Sequence, residues 1–398
     1  MKRRSRLIAL CTALLLLAAV SLAVGPTAAS ADSPHVGSPK ITHVAIINLE
    51  NESYDDTFGP GSPYTSLRAL AGQGKLLTNY YGIGHFSTPN YIAQISGQAP
   101  NAQTQLDCAF YNNFVGSTVD ANGQAVGTGC VFPSTIKTVA DQLTDSGRTW
   151  KSYQEDMGTN PATGRTTCDH PALGTLDPSV TVGTGYSTRH NPFMYFHSII
   201  DDTASCNANV VGLGQLTTDL SSEATTPNYL FVTPNQCNDG HTTPCASALS
   251  GPAAVNAWLD TYVQKILDSP AFRTHGMVVV TFDEAAPLGP HADTTSCCNE
   301  IAGPNQMLVG DLGQILHYPP FNGILATNQP GITGPGGGRV GAVLLGQAIK
   351  PGTSDTPYNH YSLLCSVENI FNLSHLGMAN RPDLNCFGDD VYGRGNSH

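Results

Sequence analysis

Apolar stretches with few polar breaks recur along the chain and predict strands that are buried on both faces, as in a parallel sheet. The predicted strands cover residues 41–49, 148–153, 227–233, 276–282 and 339–345. Helical patterns alternate with them over residues 65–70, 138–146, 253–267 and 358–371. This alternation predicts an α/β fold with a mostly parallel central sheet, flanked by helices on both faces.

A hydroxyl stands at the start of one further predicted helix. Ser87 and Thr88 come just before Pro89, which favours a first helical turn because it lacks an N–H group, and Gly97 marks the end of the helix. Free N–H groups and the helix dipole favour negative charge there, so the position suits attack on a phosphate. Ordinary helix capping by serine or threonine is the alternative.

Polar residues follow three of the predicted strands, at the edge where parallel sheets gather their ligands. They are Glu50 with Asn51, Asp239 with His241, and Asp283 with Glu284. Adjacent carboxylates after an apolar strand are costly to bury unless they are paired or bind a cation, so Asp283 and Glu284 are predicted metal ligands. A solvated Glu50 and an Asx-rich turn around Asp239 are the alternatives without chemistry.

Arg189 and His190 are adjacent in a segment that is predicted to be a loop. An arginine beside a histidine could bind phosphate, whereas most loop histidines are simply surface residues. The residue types alone leave both interpretations open.

The first 31 residues have the pattern of a secretory signal. Four basic residues precede an apolar run at 7–24, and small residues at 27–31 resemble a cleavage site. We expect a secreted protein that uses the Sec route or, on a weak match of Arg3 and Arg4, the twin-arginine route. An uncleaved anchor is the alternative; after cleavage no integral membrane segment is expected.

The net charge bears on binding partners, and the cysteine content agrees with export. Removing the four basic residues of the signal changes the formal net charge from −12 to −16, which disfavours nucleic acid as a partner. Ten cysteines follow Cys11, an even number that suits disulfides in an oxidising compartment. Cys237 and Cys245 are predicted to pair, and a zinc–cysteine site is the alternative.

One catalytic domain is predicted over residues 32–398, after a signal peptide at 1–31. Loop-rich stretches at 107–133 and 157–210 contain several of the cysteines and are predicted to be disulfide-bearing lid or rim insertions. The oligomeric state does not follow from the sequence.

Several motifs resemble those of one enzyme family. The run Ser-Thr-Pro-Asn-Tyr-Ile-Ala-Gln-Ile-Ser-Gly from Ser87 resembles the nucleophile helix of the alkaline phosphatase superfamily. Residues 50–55 resemble the Glu-Asn-Arg-Ser-Phe-Asp opening of its bacterial phosphoesterase family of acid phosphatases and phospholipases C. Residues 189–193, 233–241 and 280–284 resemble motifs of the acid phosphatase branch. An alkaline-phosphatase-like fold is therefore expected.

The resemblance implies a role for each matching residue. One divalent metal (Mg, Ca, Mn or Zn) would be held by Glu50, Asn51, Ser87, Asp283 and Glu284. Ser87 would be the nucleophile, and His190 and His241 would contact the phosphoryl group, one of them protonating the leaving group. Asn90, Asp239 and Arg189 would contact the substrate. Glu52 replaces the family's usual arginine, and Glu284 its usual aspartate.

These expectations predict a secreted, metal-dependent acid phosphatase that forms a phosphoserine intermediate on phosphomonoesters. A phospholipase C-like phosphodiesterase is the alternative within hydrolases, so the substrate is a small-molecule phosphate ester or a phospholipid headgroup. A non-catalytic secreted binding protein on the same fold is the alternative from another class. A histidine acid favours an acidic or neutral pH optimum.

Overall fold

The computed structural model describes residues 41–159, 163–180, 185–245, 249–306 and 331–393. The predicted signal segment at 1–31 lies outside these residues. No helix among the described residues is long and apolar enough to cross a membrane.

Eight strands form the central sheet, and the remaining strands form separate two-stranded pairs. In chain order the strands are β1 (His43–Leu49), β2 (Lys75–Leu77), β3 (Tyr80–Tyr81), β4 (Phe110–Tyr111), β5 (Val115–Val119), β6 (Ala125–Thr128), β7 (Trp150–Gln154), β8 (Thr175–Leu176), β9 (Val210–Gly212), β10 (Tyr229–Thr233), β11 (Gly276–Phe282), β12 (Ala342–Leu345), β13 (Gly352–Ser354) and β14 (Tyr358–Asn359). The large sheet has the order β13-β2-β12-β11-β1-β10-β7-β9.

The α-helices lie between these strands. They are α1 (Tyr54–Thr57), α2 (Thr65–Gln73), α3 (Ser87–Ser96), α4 (Val139–Asp145), α5 (His197–Ile200), α6 (Thr203–Asn209), α7 (Gln215–Asp219), α8 (Pro252–Leu267), α9 (Phe272–His275) and α10 (His360–Phe371). Helix α2 packs on α8, while α10 packs on α3 and α4.

Strand β1 lies at the centre of the sheet, parallel to β10 on one side and to β11 on the other. Strands β7 and β9 continue the parallel part, and β12 runs antiparallel to β11 and β2. The prediction of a mostly parallel sheet is confirmed. Its topology brings the carboxyl ends of β1, β10 and β11 to one edge, where the predicted polar clusters begin.

Every residue of β1, β10, β11 and β12 is buried. Because successive side chains of a strand point to opposite faces, complete burial means that both faces of the sheet are covered. This agrees with the predicted α/β layering.

Among the predicted boundaries that differ from the structure, two have an identifiable physical cause. The strand expected from residue 339 begins only at Ala342, because Gly341 has a φ of 76° that interrupts extended backbone. The helix expected from residue 358 begins at His360, because Tyr358 and Asn359 first pair with β3. The Asn359 side chain then caps the helix by accepting from the Ser362 N–H at 3.1 Å.

All ten cysteines after Cys11 are paired. The disulfides are Cys108–Cys130, Cys168–Cys206, Cys237–Cys245, Cys297–Cys298 and Cys365–Cys386. The predicted Cys237–Cys245 pair is confirmed, and the alternative of a zinc–cysteine site is wrong.

The two predicted insertions differ in burial. Residues 107–133 contain the Cys108–Cys130 disulfide and the hairpin of β5 and β6, and every residue of β5 is exposed. Residues 157–210 include a run at 193–196 in which every side chain is fully buried. This second segment therefore contributes to the core as well as to the rim, and a lid role for either segment stays a prediction.

Glu368 generates a prediction about stability. It is fully buried in α10, where one carboxylate oxygen accepts the Leu376 N–H at 2.9 Å and the other has no hydrogen-bond partner. Burial raises the pKa of this carboxyl to about 9. Because the folded protein holds this proton more tightly than the unfolded chain, the stabilisation is complete below about pH 4.5 and is lost as the pH rises toward 9.

We therefore expect Glu368→Gln to raise the free energy of unfolding by an amount that grows with pH. The gain should be on the order of a few kcal/mol near pH 8. Melting temperatures of both proteins between pH 4 and 9 measure the effect. The exposed Glu223→Gln serves as the control. A constant difference between wild type and Glu368→Gln over this range would contradict the prediction.

Candidate active site

Ser87 is the first residue of α3, and its side chain does not cap the helix. The Ser87 hydroxyl donates instead to Glu50 Oε2 at 3.0 Å, and both side chains are buried. The Thr88 N–H, in the first turn of the helix, donates to Asp107 Oδ1 at 3.0 Å. Ser87 thus faces the end of β1 rather than its own helix. Gly97, with a φ of 65°, ends α3 as predicted.

Backbone hydrogen bonds hold the three strand ends together. The Glu50 N–H donates to the Asp239 carbonyl at 2.9 Å, and the Asp283 N–H donates to the Leu49 carbonyl at 2.9 Å. The Asn51 N–H, in a left-handed conformation with a φ of 59°, donates to Asp283 Oδ1 at 3.1 Å. The structure therefore brings Glu50, Asn51 and Asp283 to one place, beside Ser87.

Glu284 lies next to this cluster, but its carboxylate is engaged elsewhere. It pairs with Nδ1 of His85, and both side chains are buried. The longer reach of glutamate allows this pairing across the start of α3. The carboxylate of Glu52 also has a partner outside this cluster, because it accepts from the Tyr64 hydroxyl at 2.6 Å. A metal-ligand role for Glu284 remains a prediction.

His190 lies between two carboxylates. Its Nδ1 is 3.2 Å from Asp239 Oδ2, and its Nε2 is 3.4 Å from Glu50 Oε1. The Arg189 Nε–H donates to His190 Nε2 at 3.2 Å. A guanidinium can only donate, so His190 carries its proton on Nδ1, where it faces Asp239, and is neutral.

Arg189 also contacts His241, Gln236 and Asp107. Its NH2 group lies 2.9 Å from His241 Nε2 and donates to Gln236 Oε1 at 3.2 Å. Its NH1 group lies 3.8 Å from Asp107 Oδ2. The His241 backbone N–H donates to Asp239 Oδ1 at 2.8 Å. The predicted substrate contacts Arg189 and Asp239 thus lie beside both predicted catalytic histidines.

Asn90 uses its whole amide on the backbone that leads into α3. Its Oδ1 accepts the N–H groups of Ile83 and Gly84, and its Nδ2 donates to the carbonyls of Gly84 and Phe86, at 2.7 to 3.1 Å. These bonds fix the turn that presents Ser87. A direct substrate contact by Asn90 stays a prediction.

Burial dominates the electrostatics of the site. It raises the pKa of Glu50 and Asp239 well above the ordinary range, and repulsion from Asp283 adds to both shifts. Burial likewise raises the pKa of Asp283, with repulsion from Glu284 next in size. Burial and Arg189 lower the pKa of His241 to about 3. Several carboxylates thus share a site that favours their neutral forms.

The donor atoms suit a divalent cation. Asp283 Oδ2 is buried and has no hydrogen-bond partner, while its Oδ1 is held by the Asn51 N–H. Ligand atoms of Glu50, His190 and His241 also lie within 4.8 Å of one another. This second set shares only Glu50 with the predicted metal ligands. A cation bound to the carboxylate oxygens of Glu50 and Asp283 would offset their buried negative charge, so these carboxylates suit a divalent cation.

The structure adds residues that sequence reasoning missed. The Tyr91 hydroxyl donates to Glu50, and His360 Nε2 lies 2.5 Å from the Asp283 carbonyl oxygen. Tyr91 follows Ser87 by four positions, so helical spacing alone would have placed it on the same face. Asp107 lies in an insertion beside a disulfide, where no sequence pattern indicates a contact with α3.

The fold and the site together define an α/β protein with a serine hydroxyl and buried carboxylates at the carboxyl ends of parallel strands. The chain belongs to the Phosphoesterase family, whose family model matches residues 60–374. The family expected from the motifs is thereby confirmed.

Individual relatives differ in length and name. The "probable acid phosphatase" of Kluyveromyces lactis is 27% identical over 336 residues, which cover 83% of this chain and 58% of that protein. The chain thus spans less than two thirds of that relative. A "phosphatidylinositol-3-phosphatase" of Mycobacterium tuberculosis is 24% identical over 359 residues, covering 89% and 84%. A Vibrio parahaemolyticus structure from the alkaline phosphatase superfamily aligns with a TM-score of 0.48 and 12% identity, covering 87% and 70%.

The Asn90 network leads to a testable expectation. Asn90→Ala removes four hydrogen bonds to the backbone, three of them buried, so we expect a loss of about 3 kcal/mol or more in the free energy of unfolding. Because the turn before Ser87 loosens, kcat should fall more than KM changes. Urea unfolding and steady-state kinetics measure both effects.

The control is Asn256→Ala, away from α3. It removes two hydrogen bonds: Asn256 Nδ2 donates to the Pro63 carbonyl, and Asn256 Oδ1 accepts from the Ser66 N–H. It should cost less stability and leave kcat unchanged. Equal effects of the two variants on kcat would contradict a positioning role for Asn90.

Proposed function

We propose that this protein is a secreted, metal-dependent phosphoric ester hydrolase of the acid phosphatase type, acting on phosphomonoesters through a phosphoserine. The observation that carries the proposal is the Ser87 hydroxyl, held on Glu50 where three strand ends meet. Membership in the Phosphoesterase family supports it. The acid phosphatase names of several relatives support the monoester class.

The proposed metal would be held by Glu50, Asp283 and Ser87, with Asn51 and Glu284 as the remaining predicted ligands. When bound, a divalent metal lowers the pKa of the serine hydroxyl and draws charge from the phosphoryl oxygens. Its identity among Mg, Ca, Mn and Zn stays open.

Ser87 would act as the nucleophile. Its Oγ would pass its proton to Glu50 Oε2 and attack phosphorus, while the ester bond to the alcohol breaks. The departing alkoxide takes a proton from His190 or His241. Water would then attack the phosphoserine and give a proton to the same histidine. The bond between phosphorus and Ser87 Oγ breaks, inorganic phosphate leaves, and Glu50 returns the proton to Ser87.

Arg189 would bind the negatively charged phosphoryl group of the substrate. In the free protein its guanidinium faces Nε2 of both histidines, which are neutral there. A phosphoryl dianion would give Arg189 a charged partner and would raise the pKa of both histidines, so that one can hold the proton for the leaving group. A dianion fits this role better than the monoanion of a diester.

Secretion remains part of the proposal. Five disulfides among the described residues suit an oxidising compartment. The expected signal at 1–31 can be tested by N-terminal sequencing of protein from the culture medium.

The first experiment compares p-nitrophenyl phosphate with p-nitrophenylphosphorylcholine. We expect monoester turnover to dominate, to stop with EDTA, and to fall at least about 1000-fold in Ser87→Ala because the nucleophile is lost. Dominant diester turnover would instead support a phospholipase C-like enzyme. Equal rates in wild type and Ser87→Ala would contradict the nucleophile assignment, and no turnover of either ester would favour a binding protein.

A second experiment tests the proton donor. If His241 protonates the leaving group, His241→Asn should lower kcat/KM about 100-fold or more on glycerol phosphate, a poor leaving group, and far less on p-nitrophenyl phosphate. The protonated fraction of a histidine falls with rising pH, so wild-type kcat/KM on glycerol phosphate should decline and the variant's profile should flatten. His197→Asn, at a histidine that pairs with Asp201, is the control. Equal losses on both esters would overturn the assignment for His241.

A further inference from the structure

Tyr91 joins two parts of the site. It lies on α3 one turn after Ser87 and is fully buried. Its hydroxyl donates to Oε1 of Glu50, and its ring stacks on His190 with centroids 5.4 Å apart and planes 5° from parallel. One side chain therefore contacts both a predicted metal ligand and a predicted catalytic residue.

The two oxygens of Glu50 have different partners. Oε2 accepts from the Ser87 hydroxyl at 3.0 Å, whereas Oε1 faces the Tyr91 hydroxyl and His190 Nε2. Since His190 Nε2 already accepts the Arg189 N–H, it has no proton for Glu50. Tyr91 is thus the hydrogen-bond donor that Oε1 uses.

Asp283 repeats the same arrangement. Its Oδ1 accepts the Asn51 N–H at 3.1 Å, and its buried Oδ2 has no hydrogen-bond partner. On both carboxylates a hydrogen-bond donor occupies one oxygen, so the other oxygen is available to bind a metal or to accept from Ser87. On Asp283 the donor is backbone, whereas on Glu50 it is a side chain that can be changed.

We propose that Tyr91 is a positioning residue: its hydroxyl occupies Oε1 of Glu50, so that Oε2 alone serves the metal and Ser87. This inference rests on the proposed metal-dependent function. Hydrogen-bond partners that orient a metal ligand typically change metal affinity by about 10- to 100-fold when they are removed. Without the hydroxyl, Glu50 can rotate and loses the orientation that favours binding.

The chain offers a matched control in Tyr153. This tyrosine is also fully buried, and its hydroxyl donates to a carboxylate, Asp219 Oδ2, at 2.8 Å. That carboxylate also accepts from Lys151 Nζ at 2.7 Å. Asp219 is the last residue of α7. Tyr153→Phe removes the same kind of bond without touching a predicted metal ligand.

The experiment measures metal binding directly, without relying on turnover. Mn²⁺ binding is followed by the electron paramagnetic resonance signal of free Mn²⁺, and Ca²⁺ binding by calorimetry, in the wild-type protein and in each tyrosine variant without substrate. We expect Tyr91→Phe to weaken the better-bound ion about tenfold or more, and Tyr153→Phe to leave it unchanged. Saturating metal should restore kcat of Tyr91→Phe, an effect that a purely structural role would not produce.

Each contrary result has a distinct meaning. Unchanged metal affinity in Tyr91→Phe, with activity and metal binding intact in wild type, would overturn this inference and leave the proposed function standing. Wild-type protein that binds neither ion would overturn both. Activity of Tyr91→Phe that excess metal does not restore would overturn the metal-positioning role.

A second measurement avoids dependence on the variant's folding. Incorporated 3-fluorotyrosine keeps the hydroxyl at every tyrosine, and the Tyr91 and Tyr153 resonances can be assigned from the phenylalanine variants or by site-specific incorporation. Metal is expected to shift the ¹⁹F resonance at Tyr91 and not that at Tyr153. A Tyr91 resonance that does not respond to saturating metal would contradict the inference.

Discussion

Burying several carboxylates around one serine is the constraint on which the rest of the site depends. Glu50, Asp239 and Asp283 are each fully buried, and each would bind a proton more readily than in water. The Arg189 guanidinium lies near this group and lowers the pKa of Glu50 and Asp239, but by less than burial raises it. One positive charge does not balance three carboxylates, so they hold protons or, as proposed, share a bound cation.

The fold was predictable where one local pattern decides the structure. Strand β11 has the predicted bounds, 276–282, because a short run rich in β-branched and apolar residues, bounded by a glycine and two carboxylates, favours a buried strand. Predictions failed where one residue or a distant partner decides. The φ of 76° at Gly341 delays β12, and Tyr358 joins a short strand because Tyr80 is available to pair with it. A distant pairing partner leaves no mark in the local sequence.

The site was predictable to the level of strand ends and one hydroxyl. The parallel sheet explains why Glu50 and Asp283 meet, although they are far apart in sequence, since neighbouring strands end at one edge. The partner of each atom was not predictable. Glu284 faces His85 because glutamate is long enough to reach it. Tyr91 matched the apolar side of a helix, and only the tertiary structure shows its hydroxyl on Glu50.

Charge also decides what the histidines can do. In the free protein the lone pairs of His190 and His241 face Arg189, and burial lowers the pKa of both rings, so neither holds a spare proton at neutral pH. A dianionic phosphate beside Arg189 would reverse this balance, because it draws the guanidinium charge away from the imidazoles and adds negative charge nearby. The substrate would then help to create the acid that its own leaving group requires. A neutral or singly charged ligand would do so less well, so in the proposed mechanism proton supply would depend on the charge of the phosphoryl group.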